Sequence, residues 1–407
     1  MTHARFGWEL ATLDFNKDGI ADLAIAAPTA SWNDTLPVDD SEPYIRFWGR
    51  VYIYYGKKGA GLCNEPGTII STQDTLTGLG MTMSAGDVDA DGYDDLMIGA
   101  PMSSFKVNPG WSDRESIQRG ALFVFTSSKS RGVGASEVLD ARRDASLKIE
   151  GPAGYDWFGT SAAVASTDGS RFLLVGAPGN RAAGNTTGRV YMYNLATDVK
   201  TGVDAALALT LTGTEPLAEF GHALATQSGH ATSQSMVAMA SPAGSKAHGE
   251  VRIVSVSKLA ALAGSAKPDI KITELDTQAV IVGEEAFGRL GLRLAFADVA
   301  GDGMADLVVA APLANGGFLR RESGCVYVWD GAALPQGHVT QLKHSASWSA
   351  TGVHPRGRFG SAFVAAPGVK ASPRMLAISS PRADSNGLEM VGIVDYLPVT
   401  FRSSIVV

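Results

Sequence analysis

The sequence predicts an all-β fold, a β-propeller of four-stranded blades. Three observations support this fold class: one unit recurs six times at intervals of 62 to 79 residues, each unit opens with a bulky apolar residue followed by Gly, and no segment follows a helical period. The 407 residues include 47 glycines, and 45% of the residues are apolar while 18% are charged. This composition is typical of a folded repeat protein with many short strands joined by tight turns.

Each repeat begins with an apolar-Gly pair. The bulky side chain is expected to pack between neighbouring blades, and the Gly permits close approach of two backbones. The six pairs are Phe6-Gly7, Leu79-Gly80, Phe158-Gly159, Phe220-Gly221, Phe287-Gly288 and Phe359-Gly360.

The strands follow each pair in a fixed order. Two strands end in two small residues and Pro, and a Gly-led third strand follows that is rich in the β-branched and aromatic residues that strands prefer. The closing prolines are Pro28, Pro101, Pro178, Pro242, Pro312 and Pro381. The predicted third strands are 49–54, 120–125, 188–193, 249–254, 324–329 and 392–396, and fourth strands are clearest at 207–213 and 279–283.

The repeats follow one another without a break, which predicts a single propeller over residues 1–407. The expected repeat boundaries are residues 5–77, 78–150, 151–213, 214–283, 284–352 and 353–407.

Three repeats carry an acidic loop between the first and second strands. Side-chain oxygens at positions 1, 3, 5 and 9, with the backbone carbonyl of position 7, can converge on one hard cation, and Gly at position 6 permits the turn. The predicted Ca²⁺ ligands are Asp14, Asn16, Asp18, Ile20 and Asp22 in loop one, Asp87, Asp89, Asp91, Tyr93 and Asp95 in loop two, and Asp298, Asp302, Met304 and Asp306 in loop three.

These loops differ from an EF-hand, which has Glu at position 12 and a helix on each side. Position 12 is instead Ile25, Ile98 or Val309, inside an apolar run that predicts a strand. Loop three has Ala300 at position 3, so we expect it to bind calcium more weakly. The alternative interpretation is an Asp-Gly turn that only begins a strand.

The remaining repeats keep their strands but lack the acidic pattern. The corresponding segments are residues 166–170, 227–230 and 367–370. Calcium is therefore predicted to be an addition to particular blades and not a requirement of the fold.

Composition excludes several other classes of protein. A net charge of −7 argues against a nucleic-acid surface. The sequence also lacks a run of about 18 apolar residues, so no membrane span is predicted. The segment 1–7 has no apolar core of a signal peptide. Cys63 and Cys325 are expected to be ordinary thiols, and the sequons at Asn33 and Asn185 would fit a secreted glycoprotein.

No catalytic signature is present. The sequence has no Gly-x-Ser-x-Gly elbow, no phosphate-binding P-loop and no dinucleotide-binding glycine motif. His222, His230 and His248 come nearest to a cluster, but their spacing is not that of metal ligands. We therefore expect no catalytic residues in this chain.

The Phe-Gly opening, the Asp-x-Asp/Asn-x-Asp-Gly-x-x-Asp loop and the Gly/Ala-Ala-Pro close resemble the FG-GAP repeats of integrin α-chain propellers across almost the whole chain. A closer resemblance is to the C-terminal propeller of the glycosylphosphatidylinositol (GPI)-specific phospholipase D family. It rests on the segments 5–7, 13–16, 22–28, 49–56 and 79–89. In that family a zinc-dependent catalytic domain precedes seven repeats, and the full enzyme hydrolyses the inositol-phosphate linkage of GPI anchors.

The resemblance implies a secreted, calcium-binding propeller whose partners are a catalytic domain, a protein ligand on one face or a GPI-anchored substrate. We expect this chain to depart from the family pattern by lacking the catalytic domain and the first repeat. We therefore expect a noncatalytic module, with Zn²⁺ only in the missing domain. An integrin-like adhesion module is the alternative, and the six repeats are expected to form either a closed monomer or an association-prone ring.

Overall fold

The computed structural model describes residues 5–30, 48–72, 77–104, 117–131, 137–167, 169–195, 207–227, 235–263, 269–317, 320–366, 375–384, 392–401 and 403–406. The regular secondary structure of these residues is mainly β-strand, arranged as six propeller blades, which confirms the predicted fold class. The strands are β1 (Leu10–Leu13), β2 (Asp22–Ala27), β3 (Arg50–Tyr54), β4 (Gly56–Lys57), β5 (Gly61–Leu62), β6 (Thr68–Ser71), β7 (Thr82–Gly86), β8 (Asp95–Ala100), β9 (Ala121–Phe125), β10 (Glu137–Asp140), β11 (Leu147–Glu150), β12 (Ser161–Thr167), β13 (Ser170–Ala177), β14 (Arg189–Asn194), β15 (Leu207–Thr212), β16 (Leu224–Thr226), β17 (Met236–Ser241), β18 (Glu250–Ser255), β19 (Asp269–Lys271), β20 (Ala279–Val282), β21 (Arg293–Ala297), β22 (Asp306–Ala311), β23 (Cys325–Trp329), β24 (Gly337–Val339), β25 (Trp348–Thr351), β26 (Phe363–Ala366), β27 (Met375–Ser380), β28 (Ile393–Pro398) and β29 (Ser403–Val406).

Helical structure is confined to short segments between strands. The segments are α1 (Ala141–Asp144), α2 (Gly244–Ala247), α3 (Val256–Ala263) and α4 (Leu342–Ser345), with 3₁₀ turns at Ile272–Glu274 and Gly331–Ala333. No helix in the described part of the chain has the length and hydropathy needed to cross a membrane. Cys63 and Cys325 are both free thiols.

Blades one to five each place four strands side by side in chain order. Their strand orders are β1-β2-β3-β6, β7-β8-β9-β11, β12-β13-β14-β15, β16-β17-β18-β20 and β21-β22-β23-β25, and blade six has the order β26-β27-β28. The predicted third strands are confirmed as β3, β9, β14, β18, β23 and β28. Buried β-branched and aromatic side chains explain why the first five of these segments form the interior of their sheets, whereas the side chains of β28 are half-buried or exposed.

Four blades carry a fifth strand that the sequence did not predict. The added strands β10, β19, β24 and β29 run parallel to the fourth strands β6, β15, β20 and β25, respectively. Each added strand comes from the repeat that follows the blade it joins. It covers the outer edge of that sheet, where unpaired backbone groups would otherwise face solvent.

The described chain forms two compact units. The first comprises residues 1–164, 170–181 and 190–208, and the second comprises residues 165–169, 182–189 and 209–407. In the first unit the sheets of blades one and two share a core that includes Val51, Ile70 and Phe123. In the second unit the sheets of blades five and six share a core that includes Val328 and Ile378.

The opening pairs of four repeats behave as predicted. Leu79, Phe158, Phe220 and Phe359 are fully buried, and each lies against the Gly that begins the third strand of the preceding blade. A side chain on that Gly would collide with the backbone of the opening residue, so the close approach requires glycine.

The prediction was wrong for the opening pair of blade five. Phe287 is 76% exposed, whereas Leu290 is fully buried and lies against Gly249. The N–H of Gly291 donates to the carbonyl of Ala310, as Gly159 does to Gly176. The true pair is therefore Leu290-Gly291, three residues further along the chain.

Phe6 also departs from the prediction that the opening side chain packs between blades. It is 52% exposed, and its ring contacts Tyr52 edge-on at 5.5 Å between ring centroids. The neighbouring Gly7 keeps the expected backbone role, because its N–H donates to the carbonyl of Ala26 at 2.9 Å.

Candidate metal centre

The three acidic loops lie where the sequence places them, between the first and second strands of blades one, two and five. Gly19, Gly92 and Gly303 at position 6 have φ of 82°, 86° and 89°, as the predicted turn requires. Position 4 is also left-handed in every loop, an observation that the ligand pattern did not reveal. The position-4 residues are Lys17, Ala90 and Gly301, with φ of 54°, 68° and 83°.

The first aspartate of each loop organises the turn around its carboxylate. Asp14 accepts hydrogen bonds from the N–H groups of Asp18 at 3.0 Å and Gly19 at 2.9 Å. Asp87 accepts from Ala90 at 2.7 Å and from Gly92 at 3.2 Å. The converging N–H donors hold each carboxylate in one orientation within its loop.

The first aspartate of loop three makes the same contacts. Asp298 accepts hydrogen bonds from the N–H groups of Gly301 at 2.6 Å and Gly303 at 3.0 Å. In all three loops the first aspartate therefore accepts a hydrogen bond from the Gly at position 6.

The fifth position has a second recurring contact. The N–H groups of Ile20, Tyr93 and Met304 donate to the carboxylates of Asp18, Asp91 and Asp302 at 2.8, 3.0 and 2.8 Å. The predicted use of the Ile20, Tyr93 and Met304 carbonyls as ligands stays a prediction. In loop one, the side-chain amide nitrogen of Asn16 donates to the Asp18 carboxylate at 3.0 Å. The side-chain oxygen of Asn16 accepts from the backbone N–H of Asp18 at 3.2 Å.

The ninth position joins the loop to the blade. Asp22, Asp95 and Asp306 are buried. In each of them, one carboxylate oxygen accepts a hydrogen bond from the N–H of the loop's second residue. The other oxygen accepts from an N–H just beyond the end of the third strand. The second set of donors is Gly56, Ser127 and Gly331, at 2.8, 2.9 and 2.8 Å. Sequence analysis missed this structural role.

Burial makes these ninth-position carboxylates hard to ionise. Desolvation, together with the nearby carboxylates of Asp89 and Asp91, raises the pKa of Asp95 to about 6 against the lowering effect of the two N–H donors. Desolvation also raises the pKa of Asp22 and of Asp306. A cation beside these groups would favour their charged form.

Loop two brings its acidic groups closest together. Asp87, Asp89 and Asp95 can place one carboxylate oxygen each within 4.8 Å of the others. In the part of the chain that the structure describes, this is the one set of three acidic, His or Cys side chains with that spacing. Oxygens this close can bind a single Ca²⁺, whose ligands lie about 2.3–2.6 Å from the ion.

Two basic side chains border loop two. Lys17, from loop one, forms an ion pair with Asp91 and lies 5.0 Å from the centre of the Tyr93 ring. The Arg171 guanidinium donates to the Asp87 carbonyl at 3.0 Å and to its carboxylate at 3.3 Å. Asp91 is therefore shared between the loop and Lys17, and a cation in loop two would compete with Lys17 for it.

Loop three has fewer groups available for an ion. The N–H groups of Val299 and Ala300 both donate to one Asp306 oxygen at 3.0 Å. Ala300 has no side-chain oxygen at position 3, which leaves Asp298, Asp302 and Asp306 as the carboxylates of this loop.

Other predicted positions lie partly outside the described residues. Asp168, residues 228–230 with His230, and residues 367–370 are outside them, and so is the sequon at Asn33. His222 Nδ1 lies 3.7 Å from a Glu219 carboxylate oxygen, and His248 Nδ1 lies 3.0 Å from the Gly283 carbonyl. His222 and His248 therefore contact different residues.

Comparison with known proteins identifies the repeat and its relatives. The FG-GAP repeat matches residues 6–41 and 79–111, which contain loops one and two. The chain is 29% identical to the phosphatidylinositol-glycan-specific phospholipase D of Rattus norvegicus over 357 residues, which is 83% of this chain and 39% of that protein. It is 30% identical to integrin alpha-PS5 of Drosophila melanogaster over 200 residues, 48% of this chain and 16% of the integrin.

One solved structure, described as the "Structure of Dos1 propeller", aligns with a TM-score of 0.41 and 12% identity, over 99% of this chain and 70% of that one. The chain spans less than half of the length of the phospholipase D from rat.

Proposed function

The chain carries FG-GAP repeats and is homologous over most of its length to phosphatidylinositol-glycan-specific phospholipase D, and we propose that it is a noncatalytic, calcium-binding propeller module of a phospholipase D-like protein. The observation that carries the calcium proposal is the convergence of Asp87, Asp89 and Asp95 in loop two. The same backbone turn recurs in loops one and three, where Asp14 and Asp298 hold the corresponding N–H groups.

The residues present fit a calcium ion, because every side-chain donor is the oxygen ligand that this hard cation prefers. Asp14, Asn16, Asp18 and Asp22 would hold it in loop one, with the corresponding set from Asp87 to Asp95 in loop two. When bound, the ion supplies positive charge that offsets the repulsion among neighbouring carboxylates. Loop three, with Ala300 at its third position, is proposed to be a weaker site.

The hydrolytic activity is proposed to belong to a part of the protein outside residues 1–407. The phospholipase D relatives are more than twice as long as the segment they share with this chain. In this proposal a zinc-dependent domain would cleave GPI anchors, while the propeller would contact that domain or the anchored substrate. An extracellular location fits the calcium sites and the exposed Asn185 of the second sequon.

An integrin-like adhesion module is the second candidate. Its support is the 30% identity with integrin alpha-PS5 over about half of the chain. In that case the propeller would bind a protein ligand across the loops of one face, and no GPI substrate would be involved.

Terbium luminescence tests the calcium site directly, because Tb³⁺ can replace Ca²⁺ and accepts energy from a nearby aromatic ring. We expect Tyr93 at position 7 of loop two to sensitise bound Tb³⁺, and Tyr93→Phe to lower the signal without changing the affinity. Asp89→Asn should weaken binding at loop two about tenfold, which corresponds to about 1.4 kcal/mol for one lost carboxylate. The control is Asp276→Asn, which changes a surface carboxylate paired with Lys258.

Equal titrations of Asp89→Asn and the unaltered chain would contradict the proposed site. The noncatalytic part is tested separately by incubating the chain with a GPI-anchored protein on vesicles. We expect no release of the anchored protein, and release would show that the chain itself is an enzyme.

A further inference from the structure

The turns that join one blade to the next share an unusual backbone conformation. In the second compact unit these turns are residues 214–219, 284–289 and 353–358. In each turn, the residues three positions and one position before the buried opening residue have left-handed φ of 58° to 65°. The residue three positions before is called the tip residue below. The six left-handed residues are Leu217 and Glu219, Phe287 and Arg289, and Arg356 and Arg358.

The tip residues are exposed to solvent. Leu217 is 62% exposed, Phe287 is 76% exposed and Arg356 is exposed as well. A residue with a β-carbon is strained in this conformation, which Gly or Asn adopts more readily. An apolar side chain in solvent also gains nothing from burial. The stability of the chain therefore does not explain Leu217 and Phe287, and their exposure indicates a contact with something outside the chain.

Hydrogen bonds join the first two turns. The N–H groups of Ser245 and Lys246 donate to the Glu215 carboxylate at 2.6 and 2.8 Å. The N–H of Phe287 donates to the carbonyl of Ala247 at 2.6 Å. The short segment that begins at Ser245 thus contacts the first turn and the second.

The second and third turns are joined in the same way. The N–H of Asn315 donates to the Glu285 carboxylate at 2.7 Å, and its side-chain oxygen accepts from the N–H of Glu322 at 3.1 Å. The N–H of Arg356 donates to the carbonyl of Arg321 at 2.7 Å. The three turns therefore belong to one continuous surface.

The three turns together with residues 245–247 and 320–322 are called the junction surface below. This surface lies at the other end of the strands from the acidic loops. The turn 284–289 precedes the amino end of β21, whereas loop three follows its carboxyl end. The junction surface therefore contains none of the proposed calcium ligands.

The junction surface is rich in cationic side chains. Residues 320–322 and 353–358 contain four arginines and one glutamate, in a chain whose net charge is −7. That glutamate, Glu322, pairs with Arg358 at 3.3 Å. Among the residues that the structure describes, no ion pair involves the exposed side chains of Lys246, Arg321 and Arg356. These cations remain available to attract a negatively charged surface.

Polar contacts separate the apolar tips from each other. Arg289 Nη1 lies 2.6 Å from a Glu219 carboxylate oxygen, and this ion pair joins the turns that carry Leu217 and Phe287. A protein partner normally packs on a continuous apolar centre with a polar rim. A bilayer interface instead accepts single apolar side chains that have cations around them. The arrangement of the junction surface fits the second case.

We propose that the junction surface binds an anionic lipid bilayer. Leu217 and Phe287 insert between the lipid headgroups. Lys246, Arg321 and Arg356 contact the phosphate and carboxylate groups of the lipids. The inserted side chains supply affinity through the apolar area that they bury, and the cations make the binding depend on anionic lipid.

The first test measures how the whole 407-residue chain sediments with lipid vesicles. We expect binding to vesicles of phosphatidylcholine mixed with phosphatidylserine, and much weaker binding to phosphatidylcholine alone. Phe287→Ala and Leu217→Ala should each lower the affinity about tenfold, because each removes an inserted side chain. The matched control is Leu207→Ala, which shortens an exposed leucine of β15. Thermal melting confirms that each variant is folded.

The second test concerns the cations. Arg321→Gln and Arg356→Gln should each weaken binding to the phosphatidylserine vesicles about fivefold, and added salt should weaken the binding of the unaltered chain. Both variants should bind phosphatidylcholine vesicles as the unaltered chain does. Lys129→Gln, which removes an exposed charge in the turn after β9, is the control.

Insertion of the second tip is measured with an environment-sensitive dye on Phe287→Cys. The labelled chain also carries Cys63→Ser, because Cys63 is partly exposed whereas Cys325 is buried. We expect the dye emission to rise when phosphatidylserine vesicles are added, and unchanged emission with bound vesicles would contradict insertion.

Three results would overturn the proposal. They are absence of binding to the phosphatidylserine vesicles, equal affinity of the unaltered chain and both tip variants, and binding of soluble polyglutamate in place of vesicles, which would indicate a protein partner. A chelator separates this inference from the proposed calcium sites. Binding should persist without calcium, and its loss from a chain that stays folded would assign the contact to the acidic loops.

Discussion

Lys17 links the two acidic loops that the sequence separates by a whole repeat. It belongs to loop one, but its ammonium group pairs with Asp91 of loop two and faces the Tyr93 ring. Its left-handed φ of 54° follows from the turn of loop one. The residue that shapes one loop therefore also sets the charge around the next.

Replacing Lys17 with Gln is expected to strengthen calcium binding at loop two about threefold to tenfold. The change frees Asp91 and removes a positive charge near the ion, an effect of about 1 kcal/mol for a partly exposed pair. Isothermal titration calorimetry of the calcium-free chain measures the change. Lys258→Gln, on α3, is the control, and an unchanged or lower affinity in Lys17→Gln would contradict the assigned competition.

At the scale of elements, the turn between one blade and the next has a fixed length. The buried opening residue lies seven positions after the Gly that follows the fourth strand, at Leu290 after Gly283 as well as at Phe220 after Gly213. Phe287 therefore lies within the turn, at the position that the exposed Leu217 occupies before Phe220. Both residues have left-handed φ, of 65° and 62°.

This assignment predicts effects of very different size on the free energy of unfolding for substitutions at Leu290 and Phe287. Leu290→Ala should lower the free energy of unfolding by about 2–5 kcal/mol because it leaves a cavity in a buried contact. Phe287→Ala should change it by less than about 0.5 kcal/mol because the ring faces solvent. Urea unfolding measures both. A larger loss for Phe287→Ala than for Leu290→Ala would restore the pair that the sequence first indicated.

Particular residues show how far the sequence could predict these elements. The third strands and the acidic loops were predictable because each depends on a local pattern, such as the Gly that leads Arg50–Tyr54. The choice between Phe287 and Leu290 was not, because each precedes a Gly and only the turn length separates them. The fifth strands are three or four residues long and pair with distant segments, so no local pattern indicates them.

The role of Asp95 was predictable only in part. Its spacing indicated a metal ligand, but the contact with Ser127 joins residues 32 positions apart. The same buried geometry recurs at Asp22 and Asp306. The ninth position is therefore also a structural link between the loop and the third strand.

At the scale of the whole molecule, one repeat is used in two ways. Blades one, two and five carry acidic loops, and four blades accept a fifth strand from the next repeat. The common backbone explains why a single repeat unit supports these different roles. The acidic loops are the feature on which the proposed calcium binding depends.

A calcium titration of the chelator-treated chain by isothermal calorimetry tests that central claim most directly. The account predicts two tighter binding events, assigned by loss of one event in Asp14→Asn and of the other in Asp87→Asn, followed by a weaker third. Absence of binding at millimolar calcium, or an unchanged titration in both variants, would contradict it.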